Sequence, residues 1–386
     1  MPVSIDYQPV GKPYCRPSDN AWIITRYEDA IGALRAPNVS VAAGASTLAA
    51  RVSDRMGGSF ENLAALVGSL PILQNPPEHG PSRDFLHVII REMSKAYSYA
   101  RIDRAASRLF ERSAGEIDGM TELCYDLPDG LLGESLGFSR DELRDLRLAG
   151  RQVLEDWQPA MPLREYERRQ SLSLYVHDRL TERWASHGCP ILGGKARLDE
   201  IDLSLPARQR ESAVFFLIAI ANETIAAFFG NVLHLLANRP DLQDMLRGKP
   251  EVASAFVEEA LRFCGSIRQR SRVVGEGGLR LGDTMIPEGA LVHVVIESAN
   301  HDPEAYPDPD RFDIARRGPP TLAFGAGSHL CVGAVFARRQ ARRFLTVLLQ
   351  RYSILPGEAP ARLMEQQEIR QFATLPLRLQ PRQREN

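Results

Sequence analysis

The chain has 386 residues, 44% of them hydrophobic, with 47 basic against 49 acidic side chains and a formal charge of −2. That length and apolar content bury a large core without disulfides or metal clips. So balanced a charge, with no long run of one sign, excludes a nucleic-acid binder and a membrane-surface binder and leaves small molecules as the expected partners. The five cysteines, Cys15, Cys124, Cys189, Cys264 and Cys331, are odd in number and scattered. With no C-x-x-C pair among them, they point away from zinc and dithiol chemistry and toward a reducing cytoplasm.

The N-terminal stretch holds Asp6 and several prolines in place of a basic patch and an apolar run, so it reads as neither signal peptide nor anchor. With no linker, low-complexity block or repeat, residues 1–386 read as one domain. From about Tyr97 onward helical texture dominates, as in Ser139 to Trp157 and Arg164 to Trp184, where apolar residues recur at three- and four-residue spacing. Ala213 to Leu236 is hydrophobic on nearly every face, which places it through the middle of the fold and makes any polar residue in it informative. Its longest unbroken apolar run, Ala213 to Ala221, is too short to span a bilayer. Leu279 to Leu281, ahead of a Gly282-Asp283 turn, and the Val-rich Leu291 to Ile296 read as strands. A helix is expected over Ala334 to Leu349, so the fold class is mainly α with a small β portion.

The segment Phe324-Gly325-Ala326-Gly327-Ser328-His329-Leu330-Cys331-Val332-Gly333 surrounds one cysteine with three glycines and an aromatic. Such a loop brings backbone N–H groups close to a sulfur and leaves one side open for a flat cofactor. The positive end of the following helix favours an ionised sulfur. A lone cysteine is more often buried and inert.

This decapeptide resembles the F-G-x-G-x-H-x-C-x-G haem-binding signature of the cytochrome P450 family at every fixed position. The resemblance implies that Cys331 ligates the iron of haem b, with Phe324, Gly325 and His329 beside it, and that dioxygen is the co-substrate. Asn75-Pro76-Pro77-Glu78-His79-Gly80-Pro81-Ser82-Arg83 is similar to the D-P-P-E-H-x-x-x-R stretch of bacterial members, which assigns His79 and Arg83 to the haem propionates. Arg272, in Gln269 to Val274, aligns with the family arginine that reaches a propionate, with Arg270 competing for that place. Glu259-Ala260-Leu261-Arg262 resembles the family's E-x-x-R, a structural ion pair linked to Asp308-Pro309-Asp310-Arg311-Phe312. Asn300-His301-Asp302-Pro303 resembles A-N-R-D-P, with His301 in place of arginine. The implied architecture is the cytochrome P450 fold, haem lying between the central long helix and the cysteine-ligand loop and helix.

Within the apolar central segment, Ile220-Ala221-Asn222-Glu223-Thr224 resembles the family's acid–alcohol segment A-G-x-[D/E]-T. By that likeness Thr224 organises water for dioxygen and Glu223 relays protons. The alternative has Thr224 bonding a carbonyl one turn back and Glu223 paired with an arginine. Ile220 and Ala221 replace the usual small residue and glycine, which narrows the space above the iron and leaves the width of the oxygen groove open. By position, Phe215, Phe216, Ala219, Ile220, Ile267, Arg268 and Phe372 face substrate. Arg268, Gln269, Arg370 and Gln371 add polarity suited to a carboxylate or other acceptors.

With no G-x-G-x-x-G between a strand and a helix, electrons are expected from a ferredoxin and an NAD(P)H-dependent ferredoxin reductase. Arg338, Arg339, Arg342 and Arg343 offer a basic docking surface near Cys331. The expected enzyme is a monomeric, cytoplasmic monooxygenase of bacterial secondary metabolism that inserts one oxygen atom into a small molecule and binds neither nucleic acid nor membrane. Oxidative C–C or C–O coupling is the alternative chemistry, and a non-catalytic haem ligand-binding protein the alternative of another class.

Overall fold

The computed structural model describes residues 9–42, 44–110, 115–154, 157, 160–185, 205–365 and 368–382. Cys189 and parts of the expected segments around residues 155–159 lie outside them. Two compact units emerge: residues 41–98 with 128–223, and residues 1–40 with 99–127 and 224–386. The chain leaves the first for the second inside one long helix, Ala207–Asn238, between Glu223 and Thr224. That helix is long and apolar enough to cross a membrane, but 72% of its most apolar stretch is buried inside the protein.

The first unit is helical, with helices Gly44–Arg55, Glu61–Gly68, His79–Ala96, Arg140–Leu154 and Leu163–Ala185 before the central helix begins. The helix Arg140–Leu154 starts where it does because Ser139 and Glu142 form a reciprocal cap. The Ser139 N–H donates to Glu142 Oε2 (2.7 Å) and the Glu142 N–H to Ser139 Oγ (3.2 Å). Its Leu143, Leu146, Ala149 and Val153 are buried at helical spacing. Gly150 lies on the same face because an added Cβ would run into Ala219 Cβ of the central helix, with the Phe215 ring 3.1 Å away. Only a residue without a side chain lets the two backbones come so close.

The second unit carries the sheets. Strands Tyr14–Arg16, Ala21–Ile24, Leu291–Val295, Gln269–Val274 and Val39–Val41 lie side by side in that order. Ala21–Ile24 runs parallel to Leu291–Val295, which is antiparallel to Gln269–Val274. Val292 and Val294 point into a core with Ile24, Val274 and Ile286, as the two-residue period of a strand requires. The expected strand loses its last residue: Ile296 opens the short helix Ile296–Ala299. The Leu279–Leu281 strand pairs with Thr284–Ile286 across Gly282, whose φ is +54°. On the helical side Phe229 stacks on Phe344 of the helix Ala334–Arg351, ring centroids 4.4 Å apart, and both are fully buried. Each contributes about 2–3 kcal/mol by burial.

Candidate active site

The cysteine loop is built by two glycines with positive φ, Gly325 (+73°) and Gly327 (+69°). A Cβ on Gly327 would strike the Leu34 carbonyl, so that position admits no other residue without a backbone shift. The turn closes through Gly325 N–H to the Leu322 carbonyl (2.7 Å), Leu330 N–H to Gly327 (3.1 Å) and Cys331 N–H to Phe324 (2.9 Å). Cys331 is thereby exposed three residues before the helix Ala334–Arg351, with His329 half-buried. Phe324 is backed by the Arg338 guanidinium 4.5 Å from its ring.

In the same unit Arg272 is buried, and its hydrogen bond runs to the Ser271 carbonyl (2.9 Å). No carboxylate pairs with it among the described residues, and burial, then the neighbouring Arg270, pushes its guanidinium down to about 10. A desolvated cation in that state calls for an anion. Arg270 instead faces Glu368 at 3.4 Å. In the other unit the helix His79–Ala96 opens with His79, buried, and Arg83 one turn on, with no acidic residue in the first turn. Burial, then Arg83, lowers the His79 pKa. Two basic groups at the positive end of a helix likewise favour an anion. A thiol on a glycine-turned loop fits the iron of haem b, and the buried Arg272 in the same unit, which meets no carboxylate among the described residues, fits a propionate.

On the central helix, Leu217–Ala221 forms a π turn between regular α segments. A π turn widens a helix locally, and this one ends at Ala221, the position that replaces the expected glycine. Thr224 follows, half-buried. Glu223 is buried and clamped by two arginines of the helix Arg140–Leu154: Arg147 Nη1 donates to its Oε1 (3.2 Å) and Arg151 Nη2 to its Oε2 (2.9 Å). Asp129 lies 3.5 Å from Arg147 Nη2 and accepts a short hydrogen bond from Asn222 Nδ2. Arg147, Arg151, Asp129 and Asn222 were not singled out from sequence. Two arginines one turn apart beside a buried leucine stripe were the available sign.

Of the residues expected to face substrate, Phe215 and Ala219 are buried and Phe216 and Ile220 half-buried on the central helix. In the other unit Ile267 bridges to Ile369, and Phe372 is buried against the His234 ring (4.9 Å). Arg268 Nε donates to Glu297 Oε2 (2.9 Å) and Arg370 Nη1 to Glu297 Oε1 (2.7 Å), so one carboxylate ties both segments together. Gln371 donates to the Tyr125 hydroxyl. The basic helix face is also partnered from within. Arg338 binds Glu258 (2.5 and 3.0 Å), Arg342 donates to Ser254 and Tyr99, Arg343 pairs with Asp103, and Arg339 lies over the Tyr99 ring at 5.2 Å.

Behind the loop, Arg262 donates twice to Glu259 (2.9 and 2.8 Å) and once to the Asn300 carbonyl (2.9 Å). Glu259 also accepts from Arg316 Nε (3.1 Å) and the Asp313 N–H (2.9 Å). His301 is buried, its Nδ1 2.8 Å from the Glu297 carbonyl oxygen.

A helical protein with a small sheet, a cysteine on a glycine-turned loop and an acid–alcohol pair beside a π turn has the architecture of the haem-thiolate oxygenases. The family model "Cytochrome P450" matches residues 211–381. Cytochrome P450 107B1 of Saccharopolyspora erythraea is 29% identical over 86% of this chain and 82% of that protein. Nocardicin C N-oxygenase of Nocardia uniformis subsp. tsuyamanensis is 27% identical over 89% and 86%. The crystal structure of CalO2 superposes with a TM-score of 0.80 at 24% identity, covering 96% of this chain and 93% of that one. Residues 211–381 thus carry the cytochrome P450 family model and 96% of the chain has the cytochrome P450 fold; the likeness is to bacterial-type monooxygenases, a family with haem b as cofactor and O2 as co-substrate.

Proposed function

We propose that residues 1–386 act as one catalytic domain that inserts one oxygen atom into a small organic substrate of bacterial secondary metabolism. It works in the cytoplasm, as a monomer, with electrons from a ferredoxin and its NAD(P)H-dependent reductase. Haem b, when bound, supplies the iron at which dioxygen is activated. Cys331 provides the thiolate, kept ionised by the loop's backbone N–H groups and the positive end of the helix Ala334–Arg351. Phe324, Gly325 and His329 flank it. His79, Arg83 and Arg272 hold the propionates. Thr224 orders water by its hydroxyl, and Glu223 moves protons toward it. Phe215, Phe216, Ala219 and Ile220 in one unit, and Ile267, Arg268 and Phe372 in the other, are the residues assigned to substrate contact.

What carries this is the setting of Cys331: an exposed thiol on a loop whose two positive-φ glycines leave no room for a side chain at Gly327. Cys331→Ser tests it. The reduced enzyme under carbon monoxide is expected to lose the absorption typical of thiolate-ligated haem, and an unchanged spectrum refutes the ligand assignment. Reconstitution with ferredoxin, reductase and candidate substrates then reads the reaction from product mass. A gain of one oxygen supports insertion, and a loss of two hydrogens refutes it in favour of coupling.

A further inference from the structure

The sequence motif ends at Glu223 and Thr224, but the charges around Glu223 extend one residue further than a simple acid–arginine pair. Arg147 is shared: one amino group binds Glu223 at 3.2 Å and the other lies 3.5 Å from Asp129. Arg151 closes the set on Glu223 at 2.9 Å. Asp129, Arg147 and Glu223 are each about 5% exposed, and Arg151 is the more open member. Among these four residues two carboxylates face two guanidiniums, so each buried charge meets an opposite one. Asp129 also accepts from the Asn222 side chain, and Asn222 is the residue between the π turn and Glu223. Asp129 therefore grips Glu223 from two sides, through the charge of Arg147 and through the backbone at Asn222.

We propose that Asp129 is a positioning residue for Glu223, dividing the hold of Arg147 between two carboxylates and fixing Asn222 at the end of the π turn. This rests on Glu223 serving as the proton-handling acid of the oxygen side. With Asp129 charged, Arg147 is shared between two carboxylates and its hold on Glu223 is divided. With Asp129 neutral, Arg147 is no longer shared with a second carboxylate and its pull on Glu223 strengthens. Arg147 and Arg151 face Glu223 directly, and Asp129 acts on it through Arg147.

Asp129→Asn keeps the shape and the Asn222 bond but removes the charge; Asp129→Glu restores it. The test uses the holoenzyme with a surrogate ferredoxin and reductase. It reads hydrogen peroxide released per NAD(P)H against pH, and the stretching frequency of carbon monoxide bound to the reduced haem. Asp129→Asn is expected to move both readouts in the direction of Glu223→Gln. The peroxide yield should rise several-fold, and Asp129→Glu should recover toward wild type. Should Asp129→Asn not fold, Asn222→Ala takes its place in the same comparison. If a readout moves in Glu223→Gln but not in Asp129→Asn or its substitute, Asp129 has no positioning role. If neither moves in Glu223→Gln, Glu223 is not the oxygen-side acid, and the role of Asp129 falls with it.

Discussion

Replacing Arg262 with alanine removes the centre of the most deeply buried ion pair described in the protein. The side chains of Arg262 and Glu259 are 3% and 5% exposed. Alanine deletes two charge-assisted bonds to Glu259, one to the Asn300 carbonyl and a longer one to the Arg311 carbonyl (3.4 Å). The carboxylate is not left bare, because Arg316 Nε and the Asp313 N–H still reach it. Breaking a buried pair from one side costs about 3–5 kcal/mol. The two surviving donors place Arg262→Ala at the low end, about 3 kcal/mol. Arg239 and Asp241 give the control: they share the same two-bond geometry at 2.8 and 2.6 Å but are 42% and 60% exposed. Arg239→Ala is expected to cost under about 1 kcal/mol. Urea unfolding followed by far-UV dichroism, at equal haem saturation so that ligand linkage is constant, compares the two. Equal midpoint losses for Arg262→Ala and Arg239→Ala would refute the claim that burial makes the difference.

Gly327→Ala should cost about 2 kcal/mol or more and lower haem retention, because it adds a left-handed alanine and a collision with the Leu34 carbonyl. Gly282→Ala, also at positive φ but with open space around it, should show only the conformational part in the same urea unfolding assay. His301 supplies a pH dependence: burial holds its pKa near 4 against an ordinary 6.5. The unfolded chain takes up the proton first, so the contribution is complete above about pH 6.5 and is lost as the pH falls toward 4, on the order of 3 kcal/mol in all. His301→Gln should flatten that limb of the stability curve, and an unchanged slope between those pH values would show that His301 is not its source.

Much of this protein is legible where its signals are local. The cysteine loop packs its chemistry into ten residues, and the glycines that turn it, Gly325 and Gly327, are needed for backbone reasons that the residue type announces. The helix Arg140–Leu154 begins at its own capping pair, Ser139 and Glu142, three residues apart. The buried pair Glu259 and Arg262 is one helical turn apart and visible as such. Tertiary structure alone decided where the other charges go. Glu223 meets Arg147 and Arg151 from more than seventy residues away, Arg268 and Arg370 converge on Glu297 from different segments, and Arg343 finds Asp103 across 240 residues of chain. Periodicity tells which face of a helix is apolar, but the partner of a buried charge is chosen by which helices or strands pack together, and no spacing within one element encodes that. The π turn at Leu217–Ala221 belongs with these: it widens the central helix without the expected glycine.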